Sequence, residues 1–202
     1  MGWRPGRGGG PPLTLHESAR IIGHYRWVEI RLFEILGGWV PDVPELEAKL
    51  VVAAHAPHHA WHSSMWRDRL PELSGVDREQ LTVAANADLV AFMQAVQGSG
   101  GTIEKLVGVY RVVLPRTIAS YASHLDRASA VTDGPAMRAL RLVLGDELDD
   151  WKEGEALVQS LLIDDLAVRR AAEHQAGLEG LLVRAGGITG HGASGTAKAP
   201  AP

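Results

Sequence analysis

Apolar residues recur along most of this chain at spacings of three and four, which is the period of an α-helix with one buried face. The clearest example lies towards the C-terminal end, where the spacings alternate between four and three, as in helices packed into a bundle. This stripe consists of Leu140, Leu144, Glu147, Trp151, Gly154, Val158 and Leu161. Because no convincing stretch of the sequence alternates apolar and polar residues as a strand does, the pattern predicts an all-α protein.

Capping and turn residues divide the pattern into helices. Thr14, with Glu17 three residues later, predicts a capping box at the start of the first helix, and the glycine pair at 37–38 is expected to end that helix. Pro57 and Pro115 fall inside predicted helices, where each removes a backbone hydrogen bond and should bend the helix. The predicted helices cover about 15–36, 45–69, 77–97, 102–125 and 135–161, followed by a helical stretch at 164–184 that extends the fifth helix or packs separately.

The composition fits one globular domain with polar ends. The chain has 202 residues, of which 46% are hydrophobic and 22% are charged. Residues 1–12, rich in Gly, Arg and Pro, predict a flexible N-terminal arm, and residues 186–202, rich in Gly, Ala and Pro, predict a disordered tail. Between these ends, residues 13–185 are expected to form a single helical-bundle domain.

Several classes of function are excluded by what the sequence lacks. It contains no cysteine, so a metal site would have to use histidine, carboxylate or water. The net charge is -4 and no basic block of Lys and Arg occurs, so we expect no nucleic-acid partner. No apolar run approaches the roughly twenty residues that span a bilayer, and the N-terminus lacks the apolar core of a signal peptide. We therefore expect a cytoplasmic protein that does not bind membranes.

Four of the nine histidines lie within one stretch of eight residues, which is predicted to be helical. His55, His58 and His62 would line one face of that helix, and His59 lies beside them. Two histidines at positions i and i+4 can bind one ion together, as His58 and His62 would. The cluster therefore predicts half of a metal site or half of an acid/base site.

Carboxylates inside apolar stripes are the candidates for the other half. Glu147 lies within the C-terminal stripe, and Asp150 follows on the same side one turn later. A buried carboxylate costs several kcal/mol unless it is protonated, paired or bound to metal, so Glu147 is either functional or paired with an arginine such as Arg111 or Arg138. Glu29 lies at the edge of the first helix's apolar face, where the alternative is a side chain that reaches water.

Aromatic residues lie close to these polar groups in the sequence. An apolar pocket with a few converging polar groups is the usual form of a small-molecule site. The predicted pocket residues are Tyr25, Trp61, Tyr110 and Trp151.

Three segments of the chain resemble the ferritin-like superfamily, and more closely a group of bacterial ferritin-like proteins of unassigned function. The first is Tyr25-Arg26-Trp27-Val28-Glu29, and the second is the face from His55 to His62 running into Arg69-Leu70-Pro71-Glu72-Leu73. The third is the stretch from Met137 to Glu147. Their order and spacing over about residues 15–165 carry the resemblance.

The resemblance implies an up-and-down bundle of four main helices with one or two additional helices. Di-iron members of this superfamily take one Glu from each of two helices and a Glu-x-x-His from each of the other two. Carried over, Glu29 would be the first-helix ligand, His58 and His62 would stand where the second helix presents its ligands, and Glu147 would be the acid of the last motif. With His55 and Asp150 from the same faces, these are the predicted ligands of one or two ions of iron or manganese. The sequence departs from the pattern: the second helix offers histidines in place of an acid, Asp150 stands where His is expected, and the remaining helix has only Glu104 or Asp88.

Three functions follow as hypotheses. The leading one is a metal-dependent enzyme that oxidises a small organic substrate, with His58, His62 and Glu147 as the residues of the active site. The second is a metal-free isomerase, cyclase or hydrolase in which histidine is the general base and Glu147 the general acid. The third is a bundle without catalytic activity that binds a ligand or assembles with itself. A homodimer is plausible for all three.

Overall fold

In a computed structural model, the structure describes residues 13–70, 77–129 and 133–190. These residues form helices and the turns between them, and they contain no strand, so the predicted all-α class is confirmed. Within the same residues, no helix combines the length and apolarity that crossing a membrane would need.

Seven α-helices lie within the described residues, together with two shorter helical segments. A 3₁₀ turn covers Arg78–Leu81, and a π-helical segment covers Gly108–Val113. The α-helices are α1 Leu15–Trp39, α2 Leu46–Arg67, α3 Ala87–Gln97, α4 Thr102–Val107, α5 Leu114–Arg127, α6 Gly134–Leu161 and α7 Asp165–Arg184.

The predicted capping box at the start of α1 is confirmed. The amide of Glu17 donates to Oγ1 of Thr14, and the amide of Thr14 donates to Oε2 of Glu17 at 2.8 Å. The predicted end of the helix is wrong, because α1 continues through the glycine pair to Trp39. Trp39 is buried and its indole donates to the carbonyl of Gln97, so tertiary packing outweighs the low helix propensity of glycine.

The predicted third helix, 77–97, divides into the 3₁₀ turn and α3. Between them the carbonyl of Val83 accepts a hydrogen bond from the imidazole of His24, 2.9 Å away, and so serves a tertiary contact. Asn86 then caps α3, since its side chain accepts from the amide of Leu89 at 2.9 Å.

The helix predicted at 102–125 is helical from 102 to 127, but its irregularity lies before Pro115 rather than at it. Proline has no N–H and its ring crowds the carbonyl of residue i−4, which here is Arg111. The π-helical segment contains Arg111 and ends two residues before Pro115. The wider turn of a π-helix therefore accommodates the proline and lets α5 continue.

Four helices surround the centre of the molecule. α1 packs along α2, and α6 packs against both α2 and α5, while α7 covers α3 and α4. The last helix is separate from α6, with Asp164 as its cap. The bundle arrangement is consistent with the predicted architecture, and its ferritin-like topology stays a prediction.

Only the beginning of the predicted tail lies within the described residues. The arm 1–12 and residues 191–202 lie outside the described residues. Residues 186–190, predicted to begin the tail, instead form a turn with positive φ at Gly186, Gly187 and Gly190, and Ile188 is buried. The glycines supply backbone angles that other residues rarely adopt.

Close packing between α6 and the π-helical segment generates a first prediction. A Cβ on Gly154 would lie 2.1 Å from Cδ1 of Tyr110, so Gly154→Ala should destabilise the protein by about 1–3 kcal/mol. Gly145, in the same helix, is the control, because a Cβ there meets nothing within 4 Å. Gly145→Ala should stabilise by up to about 1 kcal/mol through helix propensity. Urea unfolding measures both, and equal effects would contradict the packing argument.

Candidate metal centre

Four side chains from three helices meet at the centre of the bundle. Glu29 comes from α1, His59 and His62 from α2, and Glu147 from α6, and all four are fully buried. One donor atom from each side chain lies within 4.8 Å of the donor atoms of the other three. The set is therefore two imidazole nitrogens and two carboxylate oxygens around one small space.

The distances between these atoms fit a single ion. Nδ1 of His59 lies 2.7 Å from Oε2 of Glu29 and 3.4 Å from Oε1 of Glu147. Nδ1 of His62 lies 3.3 Å from Oε1 of Glu147 and 3.6 Å from Oε1 of Glu29. Donors bound at about 2.0–2.2 Å to one ion lie roughly 3.0–3.5 Å from one another, so small adjustments would bring all four into coordination.

Several of the donor atoms have no hydrogen-bond partner among the described residues. These are both carboxylate oxygens of Glu147 and Nδ1 of His62, although this nitrogen and Oε1 of Glu147 lie only 3.3 Å apart. Nε2 of His59, the ring nitrogen opposite the one that contacts Glu29, has no hydrogen bond within these residues either. Buried polar atoms in proteins are nearly always hydrogen-bonded, and an unmet carboxylate is the costliest exception. Atoms left open at the centre of a donor set are what a site for an additional ion requires.

Without an ion, the four groups stabilise one another by charge. Burial alone would lower the pKa of each histidine, but the negative charges of Glu147 and Glu29, together with the hydrogen bond between His59 and Glu29, outweigh it and raise the pKa to about 10 for His59 and about 11 for His62. Burial alone would raise the pKa of Glu29, but His62 and His59 hold it well below its usual range. Two carboxylates facing two imidazolium groups give the metal-free site no net charge.

Two further residues hold the ligand candidates in place. Nε2 of His62 lies 3.2 Å from Oδ2 of Asp146, so an N–H there points away from the donor set and leaves Nδ1 facing it. Tyr121 of α5 donates its hydroxyl to Oε1 of Glu29. Burial and the charges of Glu29 and Glu147 raise the pKa of Tyr121 well above 10, which keeps it a donor.

A second polar cluster lies one turn earlier on α2 and one turn later on α6. Tyr110 donates to Nδ1 of His55 at 2.8 Å, and Nε2 of His55 lies 3.1 Å from Oε2 of Glu153 and 3.5 Å from Oδ1 of Asp150. His58 contacts the same Asp150 carboxylate at 2.9 Å, with its own side chain 48% exposed. This cluster reaches from a fully buried phenol to the surface.

The structure thus distributes the predicted ligands over two clusters. Glu29, His62 and Glu147 come together, whereas His55, His58 and Asp150 lie in the second cluster. His59, noted in the sequence only as a neighbour, completes the central set. A signal for it exists: the buried residues of α2 include a series with spacings of four and three, which is the core period of a bundle. The series is Ala48, Val52, His55, His59, His62 and Trp66.

Of the alternatives weighed for Glu147 and for the remaining helix, Arg111 and Glu104 are engaged elsewhere, whereas Arg138 and Asp88 are exposed. Arg111 forms an ion pair with Glu155 at 2.8 Å. Glu104 pairs with Arg170, away from the centre. The helix that follows it in the chain, α5, contributes the phenol of Tyr121 to the site in place of a carboxylate.

The predicted pocket residues occupy different environments. Tyr25 is fully buried and its ring packs against Tyr121 with centroids 4.6 Å apart, whereas Tyr110 belongs to the second cluster. Trp151 is partly buried against the core. Trp61 is 51% exposed, and its ring lies 5.8 Å from that of the buried His62. On this side, the indole of Trp61 lies between His62 and the surface.

Comparison with known proteins returns no relative. A scan against protein-family models, a search of curated proteins and a search of solved structures each find no match.

The charged histidines predict how the stability of the metal-free protein depends on pH. Because the folded pKa values of His59 and His62 are raised above the ordinary 6.5, their contribution is fully present below pH 6.5 and is lost as pH rises towards 10. The free energy of unfolding should therefore fall between pH 6.5 and 9, by up to about 1.4 kcal/mol per pH unit for each histidine. His124 and His174, whose pKa values are lowered, stay neutral in this range.

Chemical unfolding of chelator-treated protein at several pH values measures this slope. The double variant His59→Gln/His62→Gln, which removes the two groups, should give a flatter profile over the same range. A profile as flat in the parent protein as in the double variant between pH 6.5 and 9 would show that the imidazoles are neutral in the folded state.

Proposed function

We propose that this chain is a ferritin-like, metal-dependent enzyme that oxidises a small organic substrate at an ion held by Glu29, His59, His62 and Glu147. The observation that supports it is the buried set of four donors with unpartnered atoms at its centre. Such a set is hard to explain by packing alone, because each unmet polar atom costs free energy.

Charge favours a divalent ion. A bound ion requires both histidines to be neutral, so it displaces their two protons. The two carboxylates then carry a charge of minus two, which a divalent cation cancels. Exchange of two protons for one divalent ion leaves the buried site neutral in both states, and the bundle does not have to bury a net charge.

The donor set suits iron or manganese. Imidazole nitrogen is a common ligand of iron, and carboxylate oxygen suits manganese and other hard ions. When bound, such an ion supplies the redox chemistry by which an organic molecule is oxidised. The chain's own residues orient and protect the site: Asp146 fixes the ring of His62, Tyr121 holds Glu29, and the surrounding aromatic residues exclude water.

A substrate would approach the site on the side of Trp61. Trp61 is half-exposed and lies against His62, and Asp146 beside it is also partly exposed. An apolar indole at the surface next to a ligand candidate suits a small substrate with an apolar part. A homodimer and a cytoplasmic location stay predictions from the sequence.

The second cluster favours a second candidate, a metal-free acid/base enzyme. Tyr110 donates to His55, and Glu153 and Asp150 face the other nitrogen of that imidazole. A base oriented by a carboxylate and hydrogen-bonded to a hydroxyl is the arrangement of general acid–base catalysts. A bundle without activity remains the third hypothesis, and metal content separates the first from both others.

Metal analysis of untagged protein, purified without chelator, tests the proposal directly. We expect about one equivalent of iron or manganese per chain, and its loss in the His59→Ala/His62→Ala variant. His58→Ala is the matched control, since His58 neighbours His59 in sequence but faces the second cluster. The control should retain the ion and the thermal stabilisation that the ion confers, which is about 2.7 kcal/mol at an ion concentration a hundred times Kd.

Other outcomes assign the site differently. Protein that holds no metal and takes up none would end the oxidase proposal. His55→Gln would then separate the remaining two hypotheses, because it abolishes turnover in an acid/base enzyme at the second cluster and changes only stability in an inactive bundle. Loss of the ion in His58→Ala, with retention in the double variant, would mean that the second cluster, rather than the central set, holds the ion.

A further inference from the structure

We propose that Tyr121 is a further ligand of the central ion and that its phenolic oxygen makes the site selective for iron in the ferric state. This inference rests on the proposed metal site and extends its ligand set to a fourth helix. In this arrangement α5 contributes a ligand to the site, although it offers no carboxylate or histidine there.

The hydroxyl of Tyr121 lies at the edge of the donor set. Tyr121 is fully buried, and its hydroxyl donates to Oε1 of Glu29. The same Oε1 lies 3.6 Å from Nδ1 of His62, so the phenolic oxygen stands at the rim of the donor set. Glu29 has a second oxygen, Oε2, 2.7 Å from Nδ1 of His59, through which it can hold an ion while Oε1 and the phenol stay beside it.

The ring of Tyr121 is held in this place by other aromatic rings. Tyr25 meets it edge to face with centroids 4.6 Å apart, and Trp66 lies 5.3 Å away. Trp66 and Tyr25 are themselves fully buried. A phenol held by two rings and by its hydrogen bond to Glu29 loses little further freedom when it binds an ion, so it is pre-organised as a ligand.

A phenolate at Tyr121 would balance the additional positive charge of a ferric ion. A divalent ion with two carboxylates and two neutral imidazoles is neutral, and Tyr121 then remains a phenol. A ferric ion in the same set would leave one positive charge buried, and replacing the phenolic proton by the iron–oxygen bond removes it. That proton leaves to the buffer. Anionic oxygen is a hard donor, which suits a small trivalent ion.

Colour provides the test, because a ferric ion bound to a phenolate absorbs visible light by charge transfer from ligand to metal. Protein is loaded with Fe(II) without oxygen and treated with one equivalent of ferricyanide, which takes one electron from the iron and becomes ferrocyanide. After desalting, the visible spectrum is recorded for the parent protein and for Tyr121→Phe.

The chain contains three tyrosines, so the other two are matched controls. Tyr25→Phe removes a hydroxyl that donates to the carbonyl of Ser120, in the same aromatic cluster but away from Glu29. Tyr110→Phe removes the hydroxyl of the second cluster. We expect the visible band in the parent protein and in both controls, and its complete loss in Tyr121→Phe.

Binding of Zn²⁺ by each protein separates the possible failures. Zn²⁺ bound by the parent protein without a visible band in its ferric form would overturn the role of Tyr121 and leave the metal site intact. A band that persists in Tyr121→Phe would do the same. No binding of any ion would overturn both proposals. Resonance Raman spectra of the parent protein excited in the band should contain tyrosinate ring modes, which gives an answer even if Tyr121→Phe does not fold.

Discussion

The mutual neutralisation of buried charges at the centre of the bundle is the constraint on which the rest of the structure depends. Glu29 and Glu147 would each be costly to bury alone, and so would a charged His59 or His62. Together they form a set whose charges cancel. The helices that contribute to this set must therefore keep their side chains at fixed distances from one another. If one member moved away, the charge of the others would be left uncompensated in the buried interior.

Two irregular features, the π-helical segment and the glycine in α6, help to bring the polar side chains to the centre of the bundle. The π-helical segment absorbs Pro115 and so lets α5 continue to Tyr121 at the centre. In α6, Gly154 lies one turn beyond Asp150 and lets the ring of Tyr110 approach the helix backbone closely. These features lie on helices that the core pattern already places in the bundle, and they adjust which polar group each helix presents.

The sequence predicts the helices better than it predicts the site. Periodicity finds α1, α2 and α6, because their buried faces repeat over many turns, and the capping box locates the start of α1 to the residue. It misses the break before α3, because the carbonyl of Val83 is engaged by His24, 59 residues away in the chain. No local pattern contains a contact of that kind.

The histidines show the limit in more detail. Spacing alone groups His55, His58 and His62, and His58 with His62 has the familiar interval of a metal-binding pair. The buried face of α2 follows the core period instead, which selects His59 over His58. Tyr121 is neither an acid nor a histidine, so the ligand pattern of the sequence does not include it. Its place at the site follows only from the contact between its hydroxyl and Glu29. Burial and residue type must therefore be read together.

The two polar clusters differ in a way that decides which of them suits an ion. In the second cluster, His55, Tyr110 and Asp150 use their polar atoms on one another and on Glu153 and His58, so the network is closed. In the central cluster, neither oxygen of the fully buried Glu147 has a hydrogen bond among the described residues, and Oε1 contacts the two imidazoles only at 3.3–3.4 Å. A closed network gains little from an ion that would have to break its hydrogen bonds. An open one gains the ligand bonds that its atoms lack, and for this reason the central cluster is the better candidate for metal chemistry.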